Sequence, residues 1–429
     1  MRLLNTSTLR LETFTDERSA PPYVILSHTW EKEEITFGDI KNWASSGWLE
    51  KQGAQKVRQS AEQARLDNLQ YIWIDTLCID KSSSAELSEA INSMFKWYEC
   101  SAVCYAYLFD ITGEKGSSIR GCKWLSRGWT LQKLIAPARV RFYNMHWYYI
   151  GTRNSLAEDL QSITGIDYVL LHNFEDEDDI DPRCLLDPMA SRPETKIQDI
   201  LASISIASRM FWASGRQTTR SEDAAYCLMG LFSVNIPLLY GEGGKAFARL
   251  QEEIIKVTTD TSILVFADMC RSPTNVLAPE PKAFALRLPA VLEWNIDRPR
   301  MLFEKDRITL EVILCATSMR NDTSNTHFSN SYLSDSLRSR IGESGDPEGE
   351  PSLFYAVLDG SFDDDNLARP AILVRQEHDS TYRREHHDEL YRVHAGTLSK
   401  SNPTFALYGG KNPAAILPRR PSAALIREC

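Results

Sequence analysis

The sequence predicts an α/β protein: a doubly wound, parallel sheet with helices on both faces, followed by a helical region and a smaller β-rich C-terminal domain. Two observations predict the sheet. From about Tyr23 to Gly151, short apolar runs of strand length alternate with amphipathic stretches of helix length. In addition, Tyr23-Val-Ile-Leu-Ser-His-Thr-Trp30 and Tyr71-Ile-Trp-Ile-Asp-Thr-Leu-Cys-Ile-Asp80 each run from apolar residues into Ser, His, Asp or Cys. In an open parallel sheet, ligands bind at the carboxyl ends of strands, where loops from neighbouring strands converge. Ser27, His28, Trp30, Asp75 and Cys78 are therefore expected around one crevice.

Tyr23–Ser27 reads as the first strand. Gly53–Leu66 carries Val57, Ala61 and Ala64 at helical spacing, and Tyr71–Asp75 is the second strand. Ser84–Cys100 places Leu87, Ile91, Met94, Phe95 and Tyr98 on one helical face. Ala102–Leu108 is a third strand, Arg127–Ile135 a helix that stops before Pro137, and Arg139–Tyr143 a fourth strand. The middle of the chain is mostly helical. The acidic run Glu175–Asp181 reads as a solvated loop, and Thr195–Trp212 as an apolar helix. Thr219-Arg-Ser-Glu222 offers a capping box for a helix through Ala225–Leu231. Tyr240-Gly-Glu-Gly-Gly-Lys245 reads as a turn that launches a helix over Ala246–Val257. Beyond about Asp268 come β-rich runs at Arg307–Cys315, Leu353–Leu358 and Ala371–Arg375, with Ser318–Pro351 as a long or disordered loop. The expected division is 1–151, 152–268 and 269–429.

The 429 residues are enough for two or three domains, and 43% hydrophobic with 25% charged residues is a globular composition. No stretch approaches the roughly 18 apolar residues of a membrane span, and Met1–Arg10 lacks the apolar core of a secretory signal. The net charge of -10 and the lack of a basic face argue against a nucleic-acid binder. Nine Cys without any C-x-x-C pair argue against structural zinc and for a reducing compartment, with a cytoplasmic location expected.

Each candidate residue has a plain structural alternative. Asp75 is either a ligand contact or the cap that ends a strand. Cys78, between Leu77 and Ile79, reads as a buried thiol. Ser83-Ser-Ala-Glu86 is a capping box, its carboxylate returning to the Ser83 N–H, yet a carboxylate at that helix start could also act on a ligand. Ser27 and His28 are adjacent on a strand and point to opposite faces, so they form no dyad. Trp30 either stacks on a planar ligand or covers a core edge. In Trp124-Leu-Ser-Arg-Gly-Trp-Thr-Leu-Gln132, Arg127 and Trp129 are candidate ligand contacts; Arg127 could equally pair with Asp75 or Glu86. Tyr240–Lys245 fails the spacing of a phosphate loop, and His386-His387-Asp388-Glu389 lacks a recurring metal spacing.

With these segments in hand, the chain resembles the fungal heterokaryon incompatibility (HET) domain family. The matching residues are Tyr23–Trp30, Tyr71–Asp80, Glu86–Tyr98 and Arg127-Gly-Trp-Thr-Leu-Gln132, in that order. Arg220–Phe232 and Tyr240–Lys245 look like the helical region that often follows the domain. The resemblance implies an effector of self/non-self recognition that triggers growth arrest or cell death. Its partners would be incompatibility or NLR-type signalling proteins, or further copies of itself. The family has been likened to TIR domains, which are flavodoxin-like and in some members cleave NAD. That likeness would make Glu86 the catalytic glutamate, line a nucleotide pocket with Asp75, Ser27 and Trp30, and make NAD a substrate; it firmly implies no cofactor. The competing reading is a non-catalytic signalling scaffold with Glu86 as a helix cap. Two positions depart from the family pattern: Glu31 stands where Gly is frequent, and Lys133 where Glu is usual. The chain is short for downstream repeats, which fits a stand-alone effector or a truncated relative.

Overall fold

The computed structural model describes residues 1–17, 19–42, 47–113, 118–172, 197–258, 260–266 and 277–285, and eight strands between 302 and 408 as backbone. The chain divides into two compact units, Met1–Ile204 with Ser208–Ile254 and Glu280–Lys282, and Ser205–Ala207 with Ile255–Pro279 and Ala283–Cys429.

The first unit is built on seven strands: β1 (Arg2–Asn5), β2 (Leu11–Thr13), β3 (Tyr23–His28), β4 (Tyr71–Ile74), β5 (Val103–Leu108), β6 (Val140–Asn144) and β7 (Tyr149–Thr152). They lie in the order β2-β1-β4-β3-β5-β6-β7. The inner four are parallel, while β1, β2 and β7 add antiparallel edges. The chain leaves β3 for β4 on one side and later places β5 on the other. The carboxyl end of β3 is thus the topological switch point, where a crevice opens in sheets of this kind.

Every residue of β3 and β5 is buried, as strands covered on both faces must be. Register sorts the two faces. Ile25 pairs with Trp73 and Cys104, and on this face Trp73 packs edge-on against Trp97 and Tyr98 of helix α4 (Ser84–Cys100) at 5.6 and 6.0 Å. Truncating a buried Trp of this kind to Ala costs about 3–5 kcal/mol. Tyr105, on the opposite face, bonds its hydroxyl to Asp67 at the end of helix α2 (Gly53–Leu66). The remaining helices preceding the sheet edge are short: α1 (Phe37–Lys41), α3 (Asp75–Cys78), α5 (Lys123–Ser126) and α6 (Thr130–Ile135). After β7 come α7 (Ala157–Thr164), α8 (Tyr168–His172), α9 (Ile197–Ser203), α10 (Ile206–Ser214), α11 (Asp223–Tyr226), α12 (Met229–Phe232) and α13 (Lys245–Val257).

The α/β class stands, and several local expectations are corrected. Asp75 does not close β4 but opens α3. Arg127 has extended backbone and precedes α6, which starts at Thr130. The 195–212 stretch is two helices. Ser83 caps the Glu86 N–H at 3.3 Å, but the Glu86 carboxylate takes the Asp80 N–H at 2.7 Å instead of returning to Ser83, so the box is half formed. Glu222 stands at the N-cap of α11, but its side chain makes no cap bond: its carboxylate accepts the N–H groups of Gly241 at 2.7 Å and Gly243 at 3.0 Å, 19 and 21 residues on. The run 175–181, the loop 318–351 and the cluster 386–389 lie outside the described residues.

The second unit is β-rich. Its eight strands are β8 (Leu302–Glu304), β9 (Arg307–Glu311), β10 (Ile313–Ala316), β11 (Leu353–Val357), β12 (Ala368–His378), β13 (Thr381–Arg384), β14 (Tyr391–His394) and β15 (Thr404–Tyr408). The order is β10-β11-β12-β13-β15-β9-β8, with β14 also on β12. All pairs are antiparallel except β13 with β15.

Candidate functional site

The carboxyl ends of β3 and β4 carry a buried charge network. Asp75, at the first turn after β4, is 7% exposed, and His28, the last residue of β3, is 3% exposed. The Asp75 carboxylate accepts from Lys133 Nζ at 3.3 Å through one oxygen and from the Trp30 indole at 3.3 Å through the other. His28 Nε2 lies 3.8 Å from Asp75 Oδ1 and 3.8 Å from Glu34 Oε2, beyond hydrogen-bond range of either. Neither ring nitrogen of His28 has a partner among the described residues. Glu34 is held in turn by Lys56 Nζ at 2.5 Å. Lys56 and Lys133 are themselves buried, so two carboxylates and two ammonium groups balance inside the protein.

Physical causes fix the protonation states. Burial opposes ionisation of Asp75, but Lys133, then His28 and Lys81, outweigh it and hold the carboxyl well below its usual range. Burial, reinforced by Lys56 and opposed by Asp75, pushes the His28 imidazole well below its ordinary value, so the ring is neutral at pH 7. Burial pushes the Cys78 thiol up to about 12, as befits an inert core cysteine.

Beside the network opens a cleft of about 560 Å³, lined by Trp30, Phe37, Lys41, Thr76 and Lys81 among others. Trp30 is 57% exposed and carries Lys81 Nζ 3.4 Å from its ring centroid. Lys41 Nζ sits 5.8 Å from the centroid of Phe37. The loop that carries Trp30 and Glu34 is pressed against the start of α2. A Cβ on Gly53 would stand 2.8 Å from the Glu33 carbonyl oxygen, and Glu33 itself has φ +58°.

Of the residues singled out from the sequence, the structure brings together His28, Trp30 and Asp75. Ser27 turns to the other face and accepts the Trp124 indole N–H at 2.9 Å. Cys78 is buried, its sulfur 3.4 Å from the Ile74 amide. Arg127 bonds Thr219 at 3.1 Å and pairs with neither Asp75 nor Glu86. Trp129 approaches Asp223, whose carboxyl is raised by burial and drawn back by Tyr240 and the Trp129 indole. Glu86 is engaged by Arg2 in a two-pronged ion pair, one prong 2.7 Å long, and shares no partner with Asp75 among the described residues. Sequence reasoning missed Glu34, Lys56 and Lys81 and treated Lys133 only as a departure. A legible signal was Lys133 itself, a cation in the apolar run Leu131–Ile135, where every residue is buried.

Among the described residues no helix is long and apolar enough to cross a membrane, and no group of three or more His, Cys, Asp or Glu is arranged to hold a metal ion.

Residues 23–120 match the family described as "Heterokaryon incompatibility protein (HET)". Over 248 residues, 55% of this chain, the sequence is 42% identical to vegetative incompatibility protein HET-E-1 of Podospora anserina, and the match spans 16% of that protein's length. No solved structure matches. The matched segment contains β3, β4 and β5 together with His28, Trp30 and Asp75, while Lys133 lies beyond it, and over this segment the chain is similar to the heterokaryon incompatibility (HET) family.

Proposed function

We propose that this chain is a vegetative-incompatibility effector that arrests growth or kills the cell, and that its HET domain acts through the cleft at the carboxyl edge of β3 and β4. The family match and the name of its relative support the role. The observation that carries the site is the buried Asp75–Lys133 ion pair, bonded to the exposed Trp30 beside an open cleft, since a desolvated ion pair contributes little net stability and marks a place kept for another purpose. We read 1–151 as the acting part, 152–268 as its helical extension and 269–429 as a separate β-rich part, in a cytoplasmic setting.

Two chemical versions exist. In the enzymatic one, of the kind TIR-like domains suggest, Glu86 would stabilise the ribosyl centre during NAD hydrolysis. The Arg2–Glu86 ion pair favours the other: Glu86 ties β1 to the start of α4, and the domain signals by self-association or by binding a protein partner.

The test is induced expression in a fungal host, scored as viable colonies, with nicotinamide release from NAD measured on the concentrated protein. Wild type should arrest growth, the Trp30→Ala/Lys81→Ala variant should not, and Glu86→Gln should leave any nicotinamide release unchanged. Arrest that survives the cleft variant sinks the site. Release that disappears with Glu86→Gln, in a protein that still melts cooperatively, restores the enzymatic version.

A further inference from the structure

The corner between α5 and α6 supplies two groups to the carboxyl edge. Trp124 donates its indole N–H to Ser27 of β3, and Lys133 reaches Asp75. Eight residues of backbone, Leu125 to Gln132, separate these groups, so the geometry of this corner decides whether both arrive. What fixes the corner is a segment 86 to 89 residues further along. Arg216 Nη1 donates to the Arg127 carbonyl at 3.1 Å and to Thr130 Oγ1 at 3.0 Å, while its Nε donates to the Trp212 carbonyl at 3.1 Å. Thr130 Oγ1 in turn donates to the carbonyls of Trp124 and, at 2.8 Å, Arg127. Next to Arg216, the Gln217 N–H donates to the Ser126 carbonyl at 2.7 Å and the Gly128 N–H to the Gln217 carbonyl at 2.9 Å. There is no room for slack: a Cβ on Gly128 would lie 2.5 Å from Thr218 Cγ2.

Arg216 is partly exposed, but its guanidinium Nη2 is buried with no partner among the described residues, and no carboxylate pairs with it there. A buried guanidinium bonded only to neutral acceptors is a poor way to gain stability, because the desolvation cost is not repaid by an ion pair. It is a good way to tie the corner to α10, since the rigid fork aims Nη1 at both corner acceptors while Nε stays on the Trp212 carbonyl, three directions that a lysine ammonium does not keep.

We infer that Arg216 is a positioning residue of the carboxyl-edge site: it fixes the start of α6, one turn ahead of Lys133, and through Lys133 sets Asp75 and Trp30. The HET-type unit that works is then larger than its matched segment, because a side chain beyond residue 200 completes the site. The inference rests on the network's being the working part. Its test therefore reads the network itself, so its failure is distinct from a failure of growth arrest.

His28 is the reporter. It faces Lys56 of α2, Asp75 of α3, Lys133 of α6, Lys81 after α3 and Glu34 after β3. Imidazole signals are followed by NMR against pH in the full chain, with His28 assigned by His28→Gln. Arg216→Met, Arg216→Lys and the milder Thr130→Val are compared with Leu160→Ala, which opens a hole in α7 at a wholly buried position. If Arg216 positions Lys133, both Arg216 variants and Thr130→Val shift the His28 midpoint upward, because a lysine that lowers it has moved away. Leu160→Ala should lower the melting temperature without that shift. An unmoved His28 signal in Arg216→Met or Thr130→Val, whatever the melting temperature, overturns the inference. A wild-type signal in Arg216→Lys overturns the role of the fork.

Discussion

Removing Asp75 alone should cost far more than removing both members of the Asp75–Lys133 pair. At 3.3 Å the two charges attract by about 5 kcal/mol at an effective dielectric of about 20. Burial of both side chains, 10% and 4% exposed, costs several kcal/mol per ion and cancels most of that gain. Asp75→Asn then leaves Lys133 buried without an anion, and the expected loss is about 3–5 kcal/mol. Lys133→Met leaves Asp75 with the Trp30 N–H and the nearby Lys81, so the loss should be smaller, about 1–3 kcal/mol. The double variant Asp75→Asn/Lys133→Met removes both charges and should lie within about 2 kcal/mol of wild type. Urea unfolding followed by the midpoint and slope measures all four proteins. If the double variant loses the sum of the single losses, the two side chains are independent and the buried pair is not what organises this edge.

The pH dependence of stability should show His28. Its folded pKa is depressed, so below about pH 6.5 the unfolded chain takes a proton that the folded chain refuses, and stability falls as pH falls. Asp75 adds a loss of the same sign only below about pH 4, as pH falls toward its depressed folded value. His28→Gln should flatten the limb between about pH 4 and 6.5 in thermal melts, and an unchanged limb would contradict the burial argument. Glu86→Gln should cost about 1–2 kcal/mol, because a partly exposed pair with good geometry is screened but not worthless. The loss should appear as faster hydrogen exchange in β1, and none would mean that Arg2 does not depend on Glu86. Gly53→Ala should cost about 1–3 kcal/mol by pushing the Trp30 loop off α2, a crowding effect that Gly38→Ala, with 3.7 Å to its nearest neighbour, should not share; equal melting temperatures would refute it.

The inner sheet was legible because apolar runs of strand length between helical periods leave little choice. Gly53–Leu66 and Ser84–Cys100 form the helices their spacing predicts. The edges were not legible. β1 and β2 are four and three residues long, and the pairing of β1 with β4 and of β2 with β1 depends on tertiary contacts no local pattern encodes. The site was half legible for a similar reason. His28 and Asp75 stand at strand ends, where the sheet rule locates them. Lys56 and Lys133 come from helices on opposite faces, and only the fold shows that both reach the same edge. Glu86 misled because S-x-x-E reads as a reciprocal cap, whereas Arg2, 84 residues away, competes for its carboxylate and wins.

The central claim, that the carboxyl edge of β3 and β4 is the working surface, is tested most directly by growth arrest with Asp75→Asn/Lys133→Met. That variant should retain the fold, by melting temperature and by the far-UV spectrum, and lose the ability to arrest growth on induction. A folded double variant that arrests growth as wild type does would contradict the account.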